Sequence, residues 1–331
     1  MFYCRANTKD NKQRILEILK QGELVSGEAI SKELGISRNA VWKQVQNLKD
    51  LGYEISAETK LGYLLTSVPD FLYPFEIWPH LKTKKLGQAI YWDYELTSTN
   101  DKARELARQN ALEGTLVLAE TQSKGKGRRG RNWESAPAQG IYMSLILRPV
   151  APLAKASPYT FLGAYAVLRF CLLRGLLTKV KWPNDIYVNG KKISGVLLEL
   201  SATGQDISYL VLGIGLNVNQ RSFPVDICAT SLFLETDKTC SRNAVLTELL
   251  LYLEEGYKRL SQDTTWLIEL MKEHSLLLGK EVVVSGGLEL EGVAEDIASD
   301  GALLIRAKDN ELVKVYAGDV SVREKNKVSN K

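Results

Sequence analysis

Between Lys124 and Arg131 the chain sets five cations among three glycines, Lys124-Gly-Lys-Gly-Arg-Arg-Gly-Arg131, with no acid in the run. Glycine lets backbone N–H groups approach an anion closely, and an arginine grips phosphate or carboxylate oxygens through two parallel hydrogen bonds. The chemistry this suits is capture of an anionic ligand; the plainer alternative is a solvated basic loop. Two familiar phosphate motifs do not account for it. Gly125-x-Gly-x-x-Gly130 has the glycine spacing of a dinucleotide site, but that turn must open a packed helix. Here Trp133, Pro137 and Gly140 continue a loop instead. A P-loop ends in Gly-Lys-Ser/Thr, and Gly130-Arg131-Asn132 does not.

A second constellation lies downstream, in Lys181-Trp-Pro-Asn-Asp185 and Lys192-Ile-Ser-Gly195. Asp185 could serve magnesium beside a nucleotide, since that ion takes few carboxylates and completes its shell with phosphate oxygens and water. As an Asn-Asp turn residue it would need no such role. The two histidines, His80 and His274, sit in no metalloprotease or Ser-His-Asp pattern, so a histidine base is not expected. Cys4, Cys171, Cys228 and Cys240 form no CxxC pair, which argues against a structural zinc site and fits a reducing compartment.

These residues need elements to hold them. Ile90–Leu96, Thr115–Gln122 and Ile141–Arg148 read as strands, with a helix over Asp101–Gln109 capped from Ser98-Thr99-Asn100. The basic loop leaves the second strand directly. Tyr159–Leu173 reads as an apolar helix. Val180 opens a short strand that Pro183 breaks, and Asn189-Gly190 is a two-residue hairpin signal. The strand Ser208–Asn217 follows, then helices over Ala244–Leu260 and Thr265–His274. From Gly279 short strands separated by Gly-Gly, Asp-Gly and Asp-Asn suggest a small barrel.

The N-terminal part has a different pattern. Ile15, Leu16 and Leu19 mark one helix face. Ser26 caps a second helix that Gly35 ends, and Ser37 caps a third, over Arg38–Leu51, with Val41, Val45 and Leu48 at helical spacing. Two helices around a tight turn make a helix-turn-helix. Tyr53–Ser67 reads as a two-stranded wing. Ser37, Arg38, Asn39, Lys43 and Gln44 on the third helix, and Lys60 in the wing, are the candidate DNA contacts. A small helical domain for protein contacts is the alternative. The charge of this N-terminal part is only weakly positive, so one module has little phosphate neutralisation to draw on, and a dimer on a two-part operator is expected.

Three prolines in Ser67–Pro79 place a boundary there. The expected division is residues 1–66, a linker over 67–80, a catalytic region over 81–277 and a small domain over 278–331. No apolar run approaches a membrane span and no apolar leader opens the chain, so a cytoplasmic protein with no membrane partner is expected.

Six segments, taken in order, carry a family resemblance. Ser98-Thr-Asn100, Glu120-Thr-Gln122, Gly125-x-Gly-Arg-Arg-Gly-Arg131, Lys181-Trp-Pro-Asn-Asp185, Lys192-Ile-Ser-Gly195 and Gly213-Ile-Gly-Leu-Asn217 together resemble the biotin–protein ligases. With the helix-turn-helix, the chain is similar to the branch of that family that also represses biotin genes. The resemblance implies an α+β architecture: a winged helix-turn-helix, a mixed α/β ligase domain of the class II synthetase-like type, and an SH3-like C-terminal barrel. It implies formation of biotinyl-5′-AMP from biotin and Mg-ATP, then transfer to a lysine of the acceptor domain of a biotin-dependent carboxylase. Ser98, Thr99, Asn100 and Gln122 would hold the biotin ring. Lys126, Gly127 and Arg128 would close over its carboxylate and the adenylate phosphate. Arg128, Lys192 and Asp185 would act in catalysis, with Lys192 on the carboxylate as well. Arg128, Arg131, Trp133, Asn184, Asp185 and Asn217 would serve ATP, with magnesium near Asp185. The adenylate would act as corepressor and favour a homodimer on operator DNA. One position departs from the family loop: Lys126 stands where arginine is common, keeping the charge without the forked geometry. The alternatives are a lipoate–protein ligase, a ligase whose helix-turn-helix does not bind DNA, and a ligand-sensing repressor without activity.

Overall fold

The computed structural model describes residues 2–5, 10–58, 61–318 and 320–325. Strand β1 (Phe2–Arg5) precedes helices α1 (Asn11–Leu19), α2 (Gly27–Leu34) and α3 (Arg38–Asp50). Asp10 and Gln13 form a reciprocal capping box on α1, while Ser26 and Ser37 accept the Ala29 and Ala40 N–H groups. Gly35, at φ +67°, closes α2 in the left-handed conformation. Ile15, Leu19, Ile30, Val41, Val45 and Leu48 pack the three helices into a fully buried centre. Strands β2 (Glu54–Glu58) and β3 (Gly62–Ser67) pair as an antiparallel hairpin beside them. A Cβ at Gly62 would stand 2.2 Å from the Val25 carbonyl oxygen, so this close approach requires glycine.

The proline-rich stretch is packed. Pro74 opens α4 (Pro74–Ile77), where its missing N–H leaves nothing unpaired. Leu72, Tyr73, Phe75 and Ile77 are buried between the helix-turn-helix and the sheet that follows.

That sheet is built from β4 (Ala89–Leu96), β5 (Leu116–Gln122), β6 (Gly140–Leu147), β7 (Thr178–Lys181), β8 (Asp185–Val188), β9 (Lys191–Thr203) and β10 (Asp206–Asn217). With β1 at its edge the order is β1-β4-β5-β6-β10-β9-β8-β7, antiparallel throughout except for the parallel pair β4–β5. Helix α5 (Thr99–Arg108) covers one face, packing Ala103 and Ala107 onto Val117, Ile146 and Val211. Helices α6 (Pro158–Leu172) and α8 (Arg242–Leu260) cover the other, with α7 (Leu232–Thr236) and α9 (Thr265–Glu273) at its ends. The apolar stretches predicted as strands and helices thus form a layered α+β body.

Strands β11 (Glu281–Gly286), β12 (Leu290–Ile297), β13 (Leu303–Ala307), β14 (Leu312–Val315) and β15 (Val320–Glu324) form a second antiparallel sheet, in the order β14-β13-β12-β11-β15. Among the described residues β14 and β15 do not pair, so the sheet stays open where a small closed barrel is expected. Trp182 ties this sheet to the first by donating its indole N–H to the Gly301 carbonyl at 2.9 Å.

Candidate functional site

A cleft of about 1010 Å³, its mouth included, opens over β5, β6, β9 and β10. The N-terminus of α5, the basic loop and the end of the C-terminal sheet complete its walls. Ser98, Thr99, Asn100, Gln122, Lys126, Gly127, Arg128, Arg131, Trp133, Asn184, Asp185 and Lys192 all line it. Twelve positions spread over nearly a hundred residues therefore converge on one concavity, which His80 and His274 do not line.

One end is neutral and polar. Ser98 sits at the N-cap of α5, yet its hydroxyl makes no capping bond. The Gln122 amide oxygen accepts the Thr99 N–H at 2.8 Å, and its Nε2 donates to the Ser135 hydroxyl at 2.9 Å. Ser144 on β6 donates to the Asn100 side-chain oxygen at 2.6 Å, and the Asn100 Nδ2 donates to Glu199 at 2.8 Å. These bonds orient neutral donors and acceptors toward the cleft, the Glu199 carboxylate behind Asn100 being paired with Arg104, and so present the arrangement a neutral polar ring system requires. Two glycines open the floor. A Cβ at Gly213 would fall 2.1 Å from the Asn100 oxygen, and one at Gly215 would fall 2.4 Å from the Trp133 indole.

The other end is cationic. The basic loop is folded rather than extended: Gly127 N–H bonds the Arg131 carbonyl at 2.7 Å, and Trp133 N–H bonds that of Gly125 at 2.9 Å. Arg129 adopts a positive φ of 57° inside the turn. Arg128 reaches across the cleft, donating to the carbonyls of Ala317 and Gly318 and to the Asn184 oxygen. Lys126 pairs with Asp101 at 2.5 Å. Lys192 lies 2.7 Å from Asp185 in an ion pair outside hydrogen-bond geometry, and over the Trp133 ring. The Trp133 indole N–H is buried with no partner. Lys181, which also lines the cleft, has its pKa lowered by burial; Arg323, Lys192 and Arg131 push it the same way against Asp185. Such a cluster is poised for a polyanion.

Asn217 is not brought to the cleft wall. It is buried behind it, donating to the Thr230 carbonyl at 3.0 Å and accepting from Gln220 at 3.3 Å. It shares the strand face of Gly213 and Gly215, which do line the cleft, but lies beyond them at the end of β10. Arg129, one of the five loop cations, also lines the cleft, as do Lys181 and the C-terminal Val320–Val322, while Ser144 supports Asn100 from β6. The Lys-Trp-Pro-Asn-Asp motif carries Lys181; nothing local in the sequence marks Ser144 or Val320–Val322.

On the helix-turn-helix, Asn39 and Lys43 are exposed on the face of α3 opposite Val41, Val45 and Leu48. Ser37 is engaged as a cap, Arg38 pairs with Glu28, and half-buried Gln44 accepts from Asn47. Lys60 lies outside the described residues. Trp42, 54% exposed on the same helix, went unnoticed in sequence because aromatic residues usually mark core.

Comparison with known proteins defines the class. Residues 92–217 match the biotin/lipoate A/B protein ligase family, residues 11–64 a helix-turn-helix domain family, and residues 277–323 the biotin protein ligase C terminal domain. The bifunctional ligase/repressor BirA of Bacillus subtilis is 37% identical, over 94% of this chain and 98% of its own length. That of Escherichia coli is 27% identical, over 96% and 100%. The solved biotin protein ligase from Aquifex aeolicus in complex with biotin and ATP is 32% identical and superposes with a TM-score of 0.63, covering 71% of this chain and 99% of that one. The chain belongs to the family of bifunctional biotin–protein ligase/repressors.

Proposed function

We propose that the protein joins biotin to ATP, giving biotinyl-5′-AMP and pyrophosphate, passes the biotinyl group to an acceptor lysine, and represses biotin genes. The observation that carries this reading is the two-ended cleft, a neutral hydrogen-bonding end running into a cationic one. Ser98, Thr99, Asn100 and Gln122 hold the ring of biotin. Its carboxylate is ionised at neutral pH and needs no base. Lys192 and Lys126 draw it toward the α-phosphate. As the carboxylate oxygen bonds phosphorus and the bond to pyrophosphate breaks, Arg128 stabilises the charge gathering on the α-phosphate. Catalysis is positioning plus positive charge. In the second step the acceptor amine attacks the acyl carbon and AMP leaves.

Arg131, Asn184, Asp185 and Trp133 serve ATP, and the orphaned Trp133 N–H supports a ligand there. Asp185 offers a single carboxylate, which suits magnesium carried mainly by phosphate oxygens. Asn217 supports this end indirectly: Thr230 N–H bonds the Lys192 carbonyl at 2.8 Å and Asn217 holds the Thr230 carbonyl, so it braces the strand of Lys192.

The division of labour is residues 1–66 for DNA, 67–80 as connection, 81–277 for catalysis and 278–331 as a C-terminal unit. The β2–β3 hairpin acts as the wing, the ligase body is of the class II synthetase-like type, and the open C-terminal sheet is a variant of an SH3-like barrel. Ser37, Arg38, Asn39, Lys43, Gln44 and Lys60 form the DNA face, with Asn39 and Lys43 the best presented. The adenylate is the corepressor and promotes the operator-binding homodimer, in the cytoplasm.

The test is transfer of labelled biotin from biotin and Mg-ATP onto a purified biotin-acceptor domain, with lipoate in parallel. Biotin transfer is expected. Transfer of lipoate alone would reassign the substrate. Tight biotin binding with no transfer would leave only a ligand-sensing repressor.

A further inference from the structure

Glu120 and Arg242 are both 0% exposed, and neither faces the cleft. A charge removed from water is tolerated only when it is paired and hydrogen-bonded. Here one carboxylate oxygen accepts the Arg242 Nη1–H at 2.8 Å. The other accepts the Leu72 N–H at 2.7 Å and the Trp92 indole N–H at 3.0 Å. Arg242 spends its remaining donors on the Gly140 carbonyl at 3.0 Å, the Asp70 carboxylate at 3.3 Å and the Asp70 carbonyl. The pair thus nails residues 70–72 onto β5 at Glu120, two residues before Gln122. Alternate residues of a strand share a face, so Glu120 and Gln122 lie on the same side of β5.

The far side of the same strap holds the helix-turn-helix. Tyr73 donates its hydroxyl to the carbonyl of Leu51, the C-cap of α3, at 2.9 Å. Glu76 accepts from Tyr53 and from Lys20, each at 2.5 Å. Tyr73 also packs on Trp92, with ring centroids 4.6 Å apart. The bond that fastens the strap to the biotin strand, at Leu72, and the bond that fastens it to the recognition helix, at Tyr73, therefore belong to consecutive residues.

We infer that Glu120 and Arg242 are positioning residues, and that the strap Asp70–Glu76 transmits occupancy of the biotin end of the cleft to the C-terminal end of α3. This rests on the reading of the cleft as a biotin site. Gln122 takes up bonds to the ligand, β5 carries the adjustment to Glu120, and the strap passes it to Leu51. Coupling of this kind is a ratio of affinities, and residues along a coupled network change it without touching either ligand.

The experiment compares the full chain with Tyr73→Phe and Glu120→Gln, each with and without biotin plus Mg-ATP. Amide exchange over Leu51–Ile55 and operator affinity are followed together with ligation kinetics. In the wild type, ligand should alter exchange over Leu51–Ile55. Tyr73→Phe should leave ligation kinetics unchanged, abolish that exchange response, and change the ligand-dependent ratio of operator affinities on the order of 2- to 30-fold. Glu120→Gln should raise KM for biotin while sparing kcat, and also lose the response. If Glu120→Gln does not fold, Tyr73→Phe decides alone. An unaltered exchange response in Tyr73→Phe, or none in the wild type, overturns the inference. Exchange coupling in a wild type that ligates biotin but binds no operator would sink the repressor reading and leave the strap standing. Failure to ligate or bind biotin would remove the reading itself.

Discussion

Arg128 joins three parts of the site: the basic loop that carries it, Asn184 at the turn before β8, and the carbonyls of Ala317 and Gly318 between β14 and β15. A guanidinium held by neutral carbonyls can exchange them for phosphate oxygens at little cost, because charge-assisted bonds are the stronger. Arg128→Ala is expected to slow adenylate formation by about 10²–10³-fold, the usual loss for one charge-stabilising donor, and to speed release of the adenylate. Single-turnover pyrophosphate release and adenylate dissociation check this; near-normal values for both would remove Arg128 from the chemistry. Lys181 offers a second test. Burial lowers its pKa below the ordinary 10.5, so the folded chain binds fewer protons there than the unfolded one. That term makes stability rise with pH across the window between the lowered value and 10.5. A bound triphosphate restores the charged form. ATP binding just below pH 10.5 should therefore take up protons, visible by calorimetry in buffers of different ionisation enthalpy. The uptake should vanish in Lys181→Met.

Elements matter here through their edges and ends. Strand β1 pairs antiparallel with β4, Phe2 opposite Trp92 and Arg5 opposite Ala89, and so covers what is otherwise a sheet edge. An open edge is a template for pairing with another chain. Deleting residues 2–5 is expected to speed amide exchange along Ala89–Trp92, leave biotin transfer intact and promote association through β4. Equal protection in the deleted chain would mean that β1 contributes nothing to the edge in solution. The pattern of residues 2–5 is too short to show a period, so only a partner strand reveals the role. On α3 the position of each side chain was legible: Val41, Val45 and Leu48 repeat at helical spacing, which turns Asn39 and Lys43 outward. What spacing could not convey is that Arg38 is held by Glu28, ten residues earlier on a different helix.

At the scale of the whole molecule, the strap fastens the helix-turn-helix to the ligase body through Tyr73 and Glu76. In the proposed homodimer this connection would let one ligand event reorient two recognition helices, whose half-sites must lie about one helical turn of DNA apart. Adenylate is accordingly expected to raise the sedimentation coefficient and operator affinity together. No change in either would leave the ligase without a ligand-dependent repressor role. The sequence alone carried the local matters. Capping serines, a glycine at a left-handed helix end, the Asn-Gly hairpin and apolar periodicity all act within a few residues, and the glycines among the cations of the basic loop are their own signal. Through the family resemblance it also marked twelve residues that line one cleft. Only tertiary structure decided what depends on partners distant in the chain. Asn217 shares the strand face of Gly213 and Gly215, yet at the end of β10 Thr230 and Gln220 enclose it, so it is buried outside the cleft lining. Three prolines mark a break in sequence, yet Leu72, Tyr73 and Ile77 find apolar cover on both sides and the stretch becomes a buried strap. Glu120 and Arg242 are 122 positions apart, and no local pattern reveals that the buried carboxylate is neutralised by Arg242, which also pairs with Asp70.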